Sequence, residues 1–260
     1  MTILDRLGAY AGKRVEEAKK LMPLEELKAK AFELPKGGFA FEKALGKQGI
    51  SFICECKKAS PSKGIIAEDY PYLSIAEDYE KAGADCISVL TEPKWFLGDN
   101  AHLKEIASEV SLPCIRKDFT VDEYMIYEAK ILGAEAVLLI CSILPFETVR
   151  NYIEICDSLG LSALVEAHDE EEVKLATEAG ARIIGVNNRN LKDFSVDTGN
   201  SARLRKLIPD GTIFVSESGV QCREDVARLE DIGADAALVG EILMRAEDRV
   251  NKLKELKGLI

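Results

Sequence analysis

From residue 49 onward, short apolar runs alternate with longer segments whose apolar positions recur at a helical period. The runs have the length of buried strands and are bounded by Gly, Pro or charge, while the longer segments read as amphipathic helices. The pattern predicts strands over Phe52–Cys56, Cys86–Leu90, Cys114–Lys117 and Ala136–Ile140. It predicts four more over Ala163–Glu166, Ile183–Asn187, Ile213–Glu217 and Ala237–Val239. Helices are predicted between them, among them Tyr72–Ala82, Val121–Leu132, Phe146–Leu159 and Glu170–Ala179. Eight strands with intervening crossovers and a final helix is the count of a closed parallel (β/α)8 TIM barrel.

An internal repeat favours the closed barrel over an open doubly wound sheet. Gly83-Ala-Asp, Gly133-Ala-Glu, Gly180-Ala-Arg and Gly233-Ala-Asp each end a helix and lead into an apolar strand. Gly suits the left-handed position that stops a helix, and Ala lets the chain turn tightly under the sheet. The interval of roughly fifty residues spans two strand–helix units, a fourfold pattern not expected of an open sheet. No Gly-x-Gly-x-x-Gly follows the first strand, which also speaks against a dinucleotide-binding sheet.

Residues 1–48 carry a different pattern. Ile3, Leu4, Leu7, Val15, Ala18, Leu21, Met22, Leu24 and Leu27 recur at helical spacing among Lys and Glu, with breaks at Pro23 and Pro35-Lys-Gly-Gly38. Such an arm is too small to hold a good core alone. It is therefore expected as a helical extension, anchored by Phe39 and Phe41, on a barrel of residues 49–260.

The stretch Ile50–Gly64 begins as a buried strand and runs straight into charge. Alternation puts Ile53, Glu55 and Lys57 on one face and Cys54 and Cys56 on the other. A carboxylate and an ammonium at a buried strand end are costly unless they pair or work. Taken alone, they fit a solvated surface ion pair as well as a site. The following Ser-Pro-Ser-Lys-Gly offers hydroxyls and free backbone N–H groups suited to an anion.

Other strand ends shift the balance. They carry Arg116-Lys117-Asp118-Phe119, Glu166-Ala-His168, Asn187-Asn-Arg189, Ser216-Glu217-Ser218-Gly219 and Gly240-Glu241. In this fold chemistry sits at the C-terminal strand ends, and the loops after the last two strands are the usual phosphate site. Ser218, Gly219, Gly240 and Glu241, with Ser60 from the first loop, are the candidates for holding phosphate.

Charge and composition narrow the class further. The 260 residues are 47% hydrophobic and 30% charged, which excludes disorder. A net charge of −11 argues against a nucleic-acid or anionic-membrane partner, though not against an anionic small molecule met by a local group of Lys and Arg. Seven cysteines without disulfide spacing point to reduced thiols. With no signal pattern and no membrane-length apolar run, the chain is expected to be cytoplasmic.

Several residues invite weaker readings. Cys54, Cys56, Cys86 and Cys114 are expected as small core residues, not metal ligands, and Trp95 as packing. His168 beside Asp169 is expected in a helix-capping region, His102 lacks a partner at triad or metal spacing, and Lys252–Lys257 reads as a solvated helix face.

At the level of whole motifs the chain resembles the indole-3-glycerol phosphate synthase family. The resemblance rests on Glu55-Cys-Lys-Lys-Ala-Ser-Pro-Ser-Lys-Gly64, Arg116-Lys-Asp-Phe119, Ile126-Tyr-Glu-Ala129, Val165-Glu166, Gly185-Val-Asn-Asn-Arg-Asn-Leu191, Ser216-Glu-Ser-Gly219 and Val239-Gly240. These occur in family order over nearly the whole chain. The resemblance implies a lyase converting 1-(2-carboxyphenylamino)-1-deoxyribulose 5-phosphate to indole-3-glycerol phosphate, CO2 and water, with no cofactor and no metal. It implies Lys117 as general acid and Lys57 as holder of the substrate carboxylate. Glu55 and Glu166 become the acid–base groups of the later steps, with the dehydrating residue left open between them and Lys57. Asn187 and Glu217 would hydrogen-bond the reacting groups, and Arg189 would support them. Ser60, Ser218, Gly219, Gly240 and Glu241 would cradle phosphate, and Pro61, Phe96, Phe119, Leu139 and Leu238 would line the aromatic slot.

Two segments depart from the family's usual pattern, Leu97-Gly98-Asp99 and Asp122-Glu-Tyr-Met125, and both bear on the ring pocket more than on the chemistry. Two rivals remain at this stage. One is another phosphate-binding barrel such as phosphoribosylanthranilate isomerase, suggested by a strand-one cysteine, although parity sends Cys54 and Cys56 to the helix side if Glu55 points inward; the other is a non-catalytic phosphosugar-binding barrel.

Overall fold

The computed structural model describes residues 3–190 and 194–260, so Leu191 of the asparagine motif lies outside the described residues. The chain opens with helices α1 (Ile3–Leu21), α2 (Leu24–Glu33) and α3 (Ala40–Leu45). Strand β1 (Ser51–Cys56) follows, then a two-stranded hairpin of β2 (Ala59–Ser60) and β3 (Gly64–Ile65). Alternation continues with α4 (Tyr72–Lys81), β4 (Cys86–Leu90), α5 (Asn100–Glu109), β5 (Cys114–Lys117), α6 (Tyr124–Ile131) and β6 (Ala136–Ile140). Next come a 3-10 turn (Cys141–Ile143), α7 (Phe146–Leu159), β7 (Ser162–Ala167), α8 (Glu170–Glu178), β8 (Ile183–Asn187) and α9 (Gly199–Arg205). The chain ends with β9 (Ile213–Glu217), α10 (Arg223–Asp231), β10 (Ala236–Val239), α11 (Glu241–Met244) and α12 (Arg249–Leu256).

The eight long strands close into one parallel barrel, β1 pairing with both β4 and β10. Alternation sorts their side chains into two apolar layers. Ile53, Ile115, Leu138, Leu164, Ile183 and Val215 fill the interior, while Cys54, Cys56, Val137, Leu139 and Val165 pack outward against the helices. The cysteines are all free, and six of the seven are buried. The four repeat glycines have φ between 73° and 87°, the left-handed stop expected of them.

The arm runs along the outside of the barrel from one end to the other. Leu7 and Ala11 of α1 are buried above the interior layer, and α1 is pinned by Arg14 to Asp118 and by Lys19 to Asp122. Lower down, Lys28 of α2 lies over the Tyr127 ring of α6 and pairs with Glu123. The chain then crosses under the barrel, where Gly37 N–H donates to Leu159 O and Phe39 N–H to Gly160 O. Gly160 has φ 71°, and a Cβ there would meet Gly37 O at 2.0 Å, so both the turn and the crossing require glycine. Helix α3 closes the floor: Glu42 N–H donates to Ser162 Oγ, Ser51 Oγ to Ala44 O, and Phe41 and Leu45 are fully buried. Phe41→Ala is expected to cost about 3–5 kcal/mol, the range for an emptied aromatic site in a core. Urea denaturation with an unchanged slope would check it.

Candidate active site

The open end of the barrel is a cavity lined by the C-terminal strand ends, the hairpin of the first loop and the start of α1. Because inward positions recur every second residue, each strand that ends in charge delivers it to the same place. Glu55 follows inward Ile53, Lys117 follows Ile115, Glu166 follows Leu164, and Glu217 follows Val215.

The charged groups meet in two linked sets. Lys117 Nζ lies 3.3 Å from Glu217 Oε2 and 3.6 Å from Glu166 Oε2, and Lys57 Nζ is paired with Glu55 Oε2. All three carboxylates are buried, Glu217 at 1% exposure, so each depends on its neighbours for charge balance. Two glycines make room for them. A Cβ on Gly185 would meet Glu217 Oε1 at 2.2 Å, and one on Gly240 would meet Glu55 Oε2 at 2.5 Å and Lys57 Nζ at 3.2 Å. Gly240→Ala is therefore expected to displace the Glu55–Lys57 pair and lower kcat by about tenfold or more while thermal stability changes little. Steady-state kinetics beside a melting curve would check this.

The environment drives the proton affinities apart. Burial alone would raise Glu166, but Lys117, His168 and Asn187 outweigh it and hold its carboxyl below the usual range. Glu55 is likewise lowered, burial being outweighed by Lys57 and Lys117. Glu217 goes the other way: burial raises it, Lys117 opposes, and repulsion from Glu166 adds to the rise. Burial would lower Lys117, yet Glu217, Glu166 and Glu55 together raise it well above an ordinary lysine. The site at neutral pH thus combines a protonated lysine, two ionised carboxylates and a third carboxyl with raised proton affinity.

The polar loops beside this cluster are held by hydrogen bonds. Asn187 Oδ1 accepts from Ser218 Oγ at 3.0 Å and from Arg189 N–H at 3.0 Å, and Arg189 Nη1 donates to Phe194 O. Ser218 has φ 67° and Gly219 φ 105°, a left-handed pair that bends the chain after β9. Asn188 stabilises that bend by donating from Nδ2 to Ser218 O and Ser216 Oγ, and takes no place in the cavity lining. Ser60, Ser218, Gly219, Gly240 and Glu241 are among the residues that line the cavity. Pro61, Phe96, Phe119 and Leu238 add apolar lining, with the Phe96 and Phe119 rings 6.0 Å apart.

A family model described as indole-3-glycerol phosphate synthase matches residues 4–256. The chain belongs to the indole-3-glycerol phosphate synthase family. Family members from Ruminiclostridium cellulolyticum, Endomicrobium trichonymphae and Lachnoclostridium phytofermentans are 55%, 50% and 45% identical to it. The alignments cover 98%, 98% and 99% of this chain and 99%, 99% and 100% of the relatives. Among solved structures, a 3-hexulose-6-phosphate synthase matches with a TM-score of 0.66 at 16% identity, over 81% of this chain and 100% of the other. A chain of the Pyrococcus furiosus tryptophan synthase complex matches with a TM-score of 0.61 at 17% identity, over 80% and 98%. At those identities they speak for the barrel alone. Membership of the indole-3-glycerol phosphate synthase family makes the chain a carboxy-lyase of tryptophan biosynthesis, and sets aside the isomerase and the non-catalytic barrel.

One expectation needs correction against this geometry. Leu139 does not line the slot: it faces outward among the helices, and Leu138 and Ile140 of the same strand face the cavity. Both faces of β6 are apolar, so its pattern carried no sign of which was inward. His168 lies in the capping region of α8, one residue before the cap Asp169, and its backbone N–H donates to Glu172 Oε2 at 2.8 Å. Its ring also reaches back to Glu166, with Nε2 3.3 Å from Oε1.

Other contributors had no sequence signal. Ile3, Leu4 and Leu7 of α1 line the cavity, and nothing in a helical period says what its apolar face will cover. Buried Glu92 accepts from the backbone N–H groups of Lys94, Trp95 and Phe96, and so shapes the loop that presents Phe96. The divergent Leu97-Gly98-Asp99 segment has a local logic too. A Cβ on Gly98 would strike Leu90 O at 2.3 Å, and Asp99 caps α5.

Proposed function

We propose that this cavity binds 1-(2-carboxyphenylamino)-1-deoxyribulose 5-phosphate and closes its indole ring with Lys117 as the general acid. The observation that carries this is the lysine held between Glu166 and Glu217 in the same cavity as the Glu55–Lys57 pair. A substrate bearing both carboxylate and phosphate needs cationic and N–H donors at opposite ends and an apolar slot between them. Phosphate would sit against Ser60 and the backbone N–H groups of Gly219, Gly240 and Glu241, with Ser218 beside them. The aromatic ring would lie along Pro61, Phe96, Phe119 and Leu238, with its carboxylate on Lys57.

In the first step the ring carbon bearing the carboxylate attacks the ketose carbonyl, and Lys117 gives its proton to the carbonyl oxygen as charge builds there. The carbon–carboxylate bond then breaks, CO2 leaves, and its electron pair restores the aromatic ring. The new hydroxyl departs as water with a proton from an acid, and a base removes the proton from the neighbouring carbon to complete the indole. Glu55 and Glu166, ionised at rest, are the bases available for that proton, and the carboxyl that takes it, or Lys57 beside Glu55, passes one proton on to the hydroxyl, so this exchange balances. Asn187 and Glu217 would hydrogen-bond the reacting hydroxyl and amine, Arg189 holding their loop. Lys117 recovers its proton from solvent, so one proton is consumed per turnover.

The reading takes residues 1–48 as an extension of a catalytic barrel of 49–260, with α1 forming part of the pocket roof. The acid surface and free thiols support a reducing cytoplasmic setting without nucleic-acid partners. Among the described residues no helix is long and apolar enough to cross a membrane. The test is indole fluorescence on adding the carboxyphenylamino ketose phosphate to the purified chain. Fluorescence with one CO2 per indole is expected, and an unaltered substrate would reject the proposal.

A further inference from the structure

The two oxygens of Glu166 face different cations. Oε2 is turned to Lys117, while Oε1 lies 3.3 Å from His168 Nε2, a charge contact whose N–H is not aligned as a hydrogen bond. On its other side the His168 ring meets Glu172, with Nδ1 3.0 Å from Oε2. Glu172 is fixed in turn, accepting from His168 N–H at 2.8 Å and from Ser142 Oγ at 2.5 Å. The Ser142 hydroxyl also lies 3.2 Å from Nδ1, and Asn200 Nδ2 donates to His168 O.

We infer that His168 is a positioning residue for Glu166: braced from outside by Glu172 and Ser142, its ring holds Oε1 so that Oε2 stays turned to Lys117. This rests on the proposed acid–base role of Glu166 and names the group that keeps it ready. A histidine placed only to start a helix would need no bracing on both ring nitrogens, and Asp169 already caps α8. Compared with its surroundings, the ring is the nearest cation to Oε1. Glu166 also feels Lys117 from β5, Glu55 from β1 and Glu217 from β9, with neutral Asn187 from β8. His168 feels Glu166 from β7 and Glu172 from α8, and Ser142 from the preceding turn.

Charge gives the arrangement its use. Burial would lower His168, but the carboxylates on either side of the ring push it up to about 10, so the ring is cationic at neutral pH. When Lys117 gives its proton to substrate, Glu166 loses one of two neighbouring cations, and His168 keeps it ionised through that interval. The folded value is the raised one. The ring's contribution to stability is therefore complete below its unfolded pKa of about 6.5 and is lost as pH rises through about 10.

The test compares His168→Gln and His168→Lys in the whole chain. In His168→Gln the acid limb of the kcat profile should move up by about one pH unit or more, with KM less affected. His168→Lys keeps a cation and should keep the limb near its original position. A measurement independent of turnover is the ring titration by NMR, where only two histidines need assignment. His168 should stay protonated at pH 8. An unmoved acid limb in His168→Gln, or a His168 ring titrating near 6.5, would overturn the inference and leave ring closure standing. An undiminished kcat in Glu166→Gln would instead remove the acid–base role on which it rests.

Discussion

Lys117→Met is expected to lower the rate of ring closure by about 10³–10⁴-fold, the combined scale of a lost general acid and a lost electrostatic partner for the developing oxyanion. Methionine keeps the length and apolar stem of lysine but has no proton to give. The removed cation also leaves Glu166 and Glu217 facing each other across the mouth, both buried and both having shared it. One of them must then take up a proton, and Glu217 is the one whose affinity is already raised. The residues proposed to hold phosphate are others, so affinity for inorganic phosphate should persist. Single-turnover fluorescence with excess enzyme, beside a phosphate titration, separates the two effects. Rates within tenfold of the parent would take the general-acid role from Lys117.

Glu166→Gln is expected to lower turnover by at least ~10²-fold. Glutamine is nearly isosteric and can still accept from His168 or Lys117, so the loss would report charge and proton exchange more than shape. It should also soften Lys117, since Glu166 is one of the carboxylates raising it. A second signature lies in acid stability. Glu166 is held below its unfolded pKa, so its contribution is present above about 4.5 and is lost as pH falls through the lower folded value. Acid unfolding of Glu166→Gln should lack that component. A melting-temperature profile from neutral to acid pH, parent against variant, would show whether the curves converge at low pH as this requires.

Much of this site was legible in the chain because strand alternation is a rigid rule. Where a strand ends in one charged residue amid apolar neighbours, as at Glu55 and Glu166, the charge itself marks the inward face, while at Lys117 and Glu217, with charged or polar neighbours, alternation from Ile115 and Val215 marks it. Five of the eight predicted strands, Cys86–Leu90, Cys114–Lys117, Ala136–Ile140, Ile183–Asn187 and Ile213–Glu217, have the bounds of the folded elements. Their starts lie within two residues of Gly, Pro or charge, the strongest local punctuation a sequence has. The rule fails where both faces are apolar, and there Leu139 was assigned to a slot that belongs to Leu138 and Ile140.

Long-range placement was the other blind spot. Helical spacing identified α1 and α2, yet nothing local says that α1 roofs the cavity while α3 seals the opposite end with Phe41 and Leu45. His168 shows the same limit, since its place at a helix start is legible while the contact of its ring is not. Its neighbour Asp169 made the helix start obvious, whereas the partner that matters, Glu166, lies across the turn at the cavity wall.

The most direct test of these assignments is a crystal structure of Lys117→Met with the unreacted ketose phosphate trapped in the barrel mouth. The phosphate should lie against the backbone of Gly219 and Gly240, the aromatic carboxylate on Lys57, and the ketose oxygen toward position 117. A substrate bound end for end, or outside the circle of Glu55, Glu166 and Glu217, would contradict them.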